Sequence, residues 1–229
     1  EIYVINEMAR VYGLKANVSV RINPDIDAHT HKYVTTGLYE NKFGISQHEF
    51  DKLIDIIKKS EHINFYGLHF HIGSQITRVA EVYSLECQRV NEIVAYFERN
   101  GLRVDNINLG GGLGVDYDDP DENPIADFKI WFETISKNIR RHEGQSVHVE
   151  PGRSIVAHCA TLISRVLFVK SGETKNFLIM DAGMNDLIRP ALYGAYHKIE
   201  NLSAAQRTFF PTHQAYDIVG PVCESDRKS

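Results

Sequence analysis

Hydrophobic and polar positions alternate with two different periods along this chain, and the switches between them mark out its elements. Val18-Ser19-Val20-Arg21-Ile22-Asn23 alternates and is rich in β-branched residues, which predicts a strand ended by Pro24. Residues 25–44 lose the pattern and read as a long loop rich in His, Thr and Gly, a kind of segment that is usually functional or mobile. Ser46-Gln47-His48-Glu49 reads as a capping box in front of a helix whose apolar face carries Phe50, Leu53, Ile54 and Ile57. Residues 63–72 form the next strand. Val82, Leu85, Val90, Ile93, Val94 and Phe97 mark an amphipathic helix stopped at Gly101. A strand over 104–109, a helix carrying Phe128, Trp131, Phe132, Ile135 and Ile139 and ending near Gly144, and a strand over 147–150 complete the series.

Four strands alternating with three helices predict a parallel sheet with right-handed crossovers. The rhythm, with ~40 residues per repeat, suits the later βα repeats of a (β/α)8 barrel of the TIM type. From about Thr161 the rhythm changes. Residues 162–170, 177–180 and 216–222 read as strands, which predicts the start of a C-terminal β domain. The expected organisation is therefore α/β, with a partial barrel over 1–158 and a β-rich region over 159–229.

Composition narrows the function. The chain has 229 residues, 43% of them hydrophobic, enough for a sizeable core. Its 25 basic residues are scattered among 30 acidic ones, with no stripe to follow a phosphate backbone, so nucleic acid is not expected as a partner. Cys87, Cys159 and Cys223 are far apart, which supports neither a disulfide scaffold nor a structural zinc site. Cys87 and Cys159 read as small buried hydrophobes, whereas Cys223 lies among polar residues and reads as reactive. No signal peptide or membrane-spanning run is expected, and the cytoplasm is the expected compartment. The first residue is Glu1 and the chain stops at Ser229 soon after a strand, so truncation at either end is expected.

Three strand ends carry chemistry, and in a parallel β/α array the carboxyl ends of strands converge on one face. His69 and His71 sit two apart, on one side of their strand. They read as half-buried polar residues, as a metal-binding pair in a barrel hydrolase, or as a ring stacked on a planar cofactor, with Gly73 and Ser74 favouring the last. Gly110-Gly111-Gly112 follows its strand directly and reads as a phosphate nest or a flexible turn. It carries no dinucleotide-binding fingerprint. Glu150-Pro151-Gly152-Arg153 offers a carboxylate that can keep a pyridine nitrogen protonated and a guanidinium fork for a carboxylate or phosphate; a structural ion pair is the plain alternative. Further on, Arg189-Pro190-Ala191-Leu192-Tyr193 supplies another guanidinium and a phenol, and Cys223-Glu224 a thiol beside a carboxylate.

Taken together, GLHFHIGSQ at 67–75, NLGGGLGVDY at 108–117, EPGR at 150–153, RPALYGAYH at 189–197, GPVCES at 220–225 and RINPDIDAHTHKYVTTGLYENKFGI at 21–45 resemble the diaminopimelate decarboxylase family. That family belongs to the fold-type III, alanine-racemase-like class of pyridoxal-phosphate enzymes. The resemblance implies a cofactor barrel followed by a β domain, and a homodimer with shared active sites. It implies that His71 stacks on the cofactor ring, that Ser74 and Gly110, Gly111 and Gly112 hold its phosphate, and that Glu150 bonds the pyridine nitrogen within the Glu150-Pro151-Gly152-Arg153 turn. Arg153, Arg189, Tyr193 and Glu224 would grip the substrate, chiefly its distal amino-acid end. Cys223 would donate a proton in the partner's site. The implied reaction releases carbon dioxide from the D-centre of meso-2,6-diaminopimelate and leaves L-lysine. Related decarboxylases acting on ornithine, arginine or carboxynorspermidine are the neighbouring alternatives, and a noncatalytic relative is another.

One departure stands out. The family joins its cofactor to a lysine in an Ala-x-Lys-Ala-Asn context, and Lys15-Ala16-Asn17 imitates it. Lys15 precedes its strand and so lies about 20 Å from the catalytic end at ~3.3 Å per residue, which makes it a decoy. The genuine lysine and the final β segment are expected outside this chain, as in an internal fragment.

Overall fold

The structure is a computed structural model that describes residues 1–26, 42–203 and 214–223. The described chain forms two compact lobes, one of residues 1–115 with 125–157, the other of residues 116–124 with the described part of 158–229.

The first lobe opens with helix α1 (Ile2–Val11), an element the sequence reading left unassigned. Strand β1 (Ala16–Arg21), helix α2 (Phe50–Lys59), strand β2 (Ile63–His69), helix α3 (Val79–Arg99), strand β3 (Asn106–Asn108), helix α4 (Phe128–Asn138) and strand β4 (Ser146–His148) follow. The sheet order is β1-β2-β3-β4 and every pairing is parallel, so four strands and the three helices between them stand as expected. The ladders are shorter than the apolar runs that announce them. Beyond His69, for example, Phe70 still donates its N–H to the Asn108 carbonyl, but the chain is already leaving the sheet. One side of this sheet is packed, with Leu68, Phe70, Ile72, Ile107 and Leu109 wholly buried, while Asn17, Ser19, Asn64 and Tyr66 of β1 and β2 are exposed. Helix α3 adds Tyr83, Cys87, Val90 and Phe97, and α4 adds Trp131, the only tryptophan. Chain reversal at the end of α3 uses Gly101 at φ +80°.

Two local expectations need correction. Ser46 precedes a single 3₁₀ turn (Gln47–Glu49) and makes no side-chain cap; Glu49 spends its N–H on the Ser46 carbonyl, so the tight turn replaces the capping box. Helix α4 ends at Asn138, well before Gly144, because Ile139 turns extended and the Asn138 side chain hydrogen-bonds back to the Thr134 carbonyl.

In the second lobe, strands β5 (Val166–Ser171) and β6 (Asn176–Met180) pair antiparallel, and β7 (Asp217–Val219) pairs parallel to β6. Helix α5 (Arg153–Val156) belongs to the first lobe, directly after Gly152. Helix α6 (Arg189–Tyr193) belongs to the second; it starts with Pro190 near its first position and ends at the left-handed Gly194, both standard helix punctuation. Among the described residues no helix is long and apolar enough to cross a membrane.

Candidate functional site

Parallel pairing lines up the strand ends. Arg21 is paired with His69, His69 with Asn108 and Asn108 with His148, so the last residues of four strands form one row. The loops bearing His71, Gly110 and Glu150 start just beyond it. Asn108 joins two of them: its Nδ2 donates to Glu150 Oε1 at 2.8 Å, and its Oδ1 accepts the Gly110 N–H at 2.8 Å. The Glu150 N–H in turn donates to the Gly110 carbonyl. The other carboxylate oxygen lies 3.6 Å from His69 Nε2, too far for a direct hydrogen bond, and that buried nitrogen has no hydrogen-bond partner among the described residues.

Burial, more than any neighbour, sets the charge of the two imidazoles. It lowers the pKa of His69 against an opposing pull from Glu150, and it lowers that of His71 with further help from Arg21 and His69. Both rings are therefore neutral near pH 7. His71 Nδ1 accepts the Gly111 N–H at 3.3 Å, which assigns its proton to Nε2 and fixes the ring against the glycine run. Burial also lowers the pKa of Arg21, partly offset by Glu150.

The glycines are there for close approach. A Cβ on Gly111 would lie 2.1 Å from the Glu150 carbonyl oxygen, so no other residue fits where these loops meet. Ser74 accepts hydrogen bonds from Arg153, whose Nη2 is at 3.1 Å and Nε at 3.4 Å. This pairing ties the loop after β2 to the start of α5. The structure thus brings His69, His71, Gly110, Gly111 and Glu150 into one set of contacts, centred on Asn108, and Ser74 and Arg153 into a second among the first-lobe loops. Lys15 stands just before Ala16, at the opposite end of β1 from Arg21. Among the described residues no group of three or more His, Cys, Asp or Glu could hold a metal ion.

The second lobe contains its own polar cluster. The Arg189 guanidinium lies 4.8 Å from the Tyr117 ring centroid and 5.7 Å from that of Tyr193, and its Nε donates to His197 Nε2 at 3.3 Å. Cys223 is exposed with a free thiol, whereas Glu224 lies outside the described residues. Cys87 is buried as expected, with its thiol pushed up to about 12 chiefly by desolvation. Cys159 departs from expectation: it is exposed, because it follows α5 in a stretch whose other residues are exposed or half-buried.

Sequence reasoning missed Asn108, Arg21 and Tyr117. Asn108 and Arg21 look like ordinary polar positions of alternating strands, and only their place near the carboxyl ends of the predicted strands 18–23 and 104–109 could have singled them out. Tyr117 was visible as the end of the glycine-rich motif, but its partner Arg189 is remote in sequence.

Residues 1–157 match the model of a family described as pyridoxal-dependent decarboxylase, pyridoxal binding domain. A diaminopimelate decarboxylase from Bacteroides thetaiotaomicron is 49% identical over 225 residues, covering 98% of this chain and 57% of that protein. The Haemophilus influenzae diaminopimelate decarboxylase is 38% identical, covering 98% and 52%. Among solved structures, the Helicobacter pylori diaminopimelate decarboxylase in complex with L-lysine superposes with a TM-score of 0.81 at 38% identity, covering 99% of this chain and 54% of that one. The chain spans about half the length of the curated relatives it matches. A parallel βα sheet with a separate β-rich lobe, a carboxylate and a neutral histidine at the strand ends, and these matches lead to one assignment: the chain belongs to the pyridoxal-dependent decarboxylase family, with pyridoxal phosphate as its cofactor.

Proposed function

We propose that this chain supplies the later barrel repeats, over 1–158, and the following β-rich region, over 159–229, of a cytoplasmic, homodimeric enzyme that decarboxylates meso-2,6-diaminopimelate to L-lysine. The observation that carries this reading is the carboxylate of Glu150, oriented by Asn108 at the row of strand ends and backed by the neutral rings of His69 and His71. The 49% identity to a diaminopimelate decarboxylase supports the choice of substrate.

The first-lobe residues fit pyridoxal phosphate. His69 Nε2 is a buried polar atom left without a partner among the described residues, and the glycine run lets the neighbouring loops approach so closely that a Cβ on Gly110, Gly111 or Gly112 would collide with backbone. His71 would lie against the ring face, Ser74 and Gly110–Gly112 would hold the phosphate, and Glu150 would hold the proton on the pyridine nitrogen. Pro151 and Gly152 shape the turn that separates Glu150 from Arg153. When bound, the cofactor supplies an electron sink for the pair left by departing carbon dioxide.

Other residues bind substrate and move protons. Arg153, Arg189, Tyr193 and Glu224 match a distal group that carries both a carboxylate and an ammonium. Arg189 is the residue best prepared for a carboxylate, because its guanidinium already lies over two rings that limit its rotation. Cys223 Sγ would deliver the proton that replaces the lost carboxylate, in the active site of the partner subunit.

The test is Glu150→Gln in the complete enzyme. Lysine formation from diaminopimelate should fall on the order of a hundredfold or more, with the cofactor still bound. Full activity in the variant, or a wild-type enzyme that prefers ornithine, arginine or carboxynorspermidine, overturns the proposal.

A further inference from the structure

We propose that Tyr83, on helix α3 behind the loops, is a positioning residue that aims the Gly112 N–H at the cofactor phosphate; this rests on the reading that the glycine run holds that phosphate.

The argument starts from the three glycine amides. The Gly110 N–H is taken by Asn108 Oδ1 and the Gly111 N–H by His71 Nδ1. The Gly112 N–H has no hydrogen-bond partner among the described residues. It belongs to the same planar, trans peptide unit as the Gly111 carbonyl, so the two groups point in opposite directions. The Tyr83 hydroxyl donates to that carbonyl at 3.1 Å. Drawing the carbonyl toward α3 turns the Gly112 N–H away from α3. Gly112 itself sits at φ +101°, and a Cβ there would come within 2.4 Å of the Gly73 carbonyl oxygen, so the peptide takes up this orientation only with glycine.

Tyr83 is built to hold. It is wholly buried, and its ring packs at 5.5 Å from that of Trp131 on α4. Burial, with the nearby Glu86 carboxyl, raises the pKa of the hydroxyl, so it remains a donor at every working pH. No cofactor atom needs to touch Tyr83 for this role.

Tyr83→Phe keeps the ring and removes only the hydroxyl. Apo forms of the complete wild-type and variant enzymes are titrated with pyridoxal phosphate and with unphosphorylated pyridoxal, followed by absorbance, and their apo melting temperatures are compared. The expected result is a roughly threefold to tenfold weaker affinity for pyridoxal phosphate, the value of one buried hydrogen bond, with the affinity for pyridoxal unchanged. If both ligands weaken equally, or the apo-enzyme merely melts earlier with both affinities kept, Tyr83 is a core residue and the proposal fails. A wild-type enzyme with no preference for the phosphorylated ligand would instead remove the glycine-run reading, and this inference with it.

Discussion

The two lobes respond to the same chain chemistry in opposite ways. In the first, apolar residues from strands and helices meet in one core, with Leu68, Phe70, Ile107 and Trp131 wholly buried. In the second, Val166, Leu167, Phe168 and Val169 of β5 are all exposed, on both faces of the strand, and Pro190 is the only buried residue among those described. Apolar residues become a core only where a second element brings a matching face, and among the described residues β5 is paired with β6 alone. The functional groups follow the same division. Those of the first lobe are connected by hydrogen bonds from Asn108 to Glu150 and Gly110 and from Gly111 to His71, whereas Arg189 in the second lies against the Tyr117 and Tyr193 rings and bonds to His197.

A single kind of substitution can break or confirm this contrast. Gly111→Ala would drive a methyl group to within 2.1 Å of the Glu150 carbonyl oxygen, and backbone must move to admit it. The expected loss exceeds about 4 kcal/mol, the range of severe core and backbone lesions. Gly194→Ala in the second lobe meets no atom within 4 Å and carries only the strain of its φ of +60°, a cost of about 1 kcal/mol. Fluorescence of Trp131 reports the first lobe alone. Its unfolding midpoint should collapse in Gly111→Ala and stay near wild type in Gly194→Ala. A Trp131 midpoint in Gly194→Ala lowered by the whole of its own ~1 kcal/mol would mean that the lobes unfold as one cooperative body, and the contrast would be void.

The same contrast explains what the sequence could reveal. Strands β1, β2 and β3 and helices α2, α3 and α4 were legible because each buries part of its surface, so the apolar period survives in the sequence, whereas β4 holds no buried residue and follows from the strand–helix rhythm. Helix α1 was passed over although Asn6, Glu7 and Arg10 share one face of it; Tyr3, Val4, Met8 and Val11 are exposed. Helix α6 was legible only in its punctuation, Pro190 and Gly194. In the site, the strand-end motifs stood out because Gly-Gly-Gly and Glu-Pro-Gly-Arg are unusual runs. Contacts between them were invisible, since Ser74 meets Arg153 across 79 positions. Glu86 is the sharpest case: the sequence analysis passes over it, yet it lies four positions from both Val82 and Val90 on the apolar face of α3 and is wholly buried beside Tyr83 and Cys87.

Glu86 gives the next largest expected effect. Both of its carboxyl oxygens lack partners among the described residues, and burial raises its pKa well above the usual carboxylate range. A carboxyl whose pKa is raised on folding contributes fully below its unfolded value, and that contribution is lost as pH climbs toward the folded value. Glu86→Leu removes an unsatisfied buried group of similar volume and should stabilise the first lobe by about 1–3 kcal/mol at neutral pH. Glu86→Gln removes the titration alone. By Trp131 fluorescence, the advantage of Glu86→Gln over wild type should widen from pH 4 upward; a constant difference would show that folding does not raise the pKa of Glu86.

The second lobe supplies the opposite sign and the smallest effect. Asp181, at the end of β6, accepts the Arg165 N–H at 2.8 Å and the Ser164 hydroxyl at 2.7 Å, and these bonds, the backbone bond first, lower its pKa. A carboxyl whose pKa is lowered on folding contributes above its unfolded value, and the contribution disappears as pH falls through the folded value. Asp181→Asn should therefore reduce hydrogen-exchange protection of the β5–β6 amides at pH 7 and leave it unchanged below the folded pKa. Solvent screening keeps the change small, because the carboxylate is exposed. Acidification thus relieves the first lobe of a burden at Glu86 while it removes a support from the second at Asp181. If Asp181→Asn and Glu86→Gln moved in the same direction with pH, burial and hydrogen bonding would not be the forces that separate the two lobes.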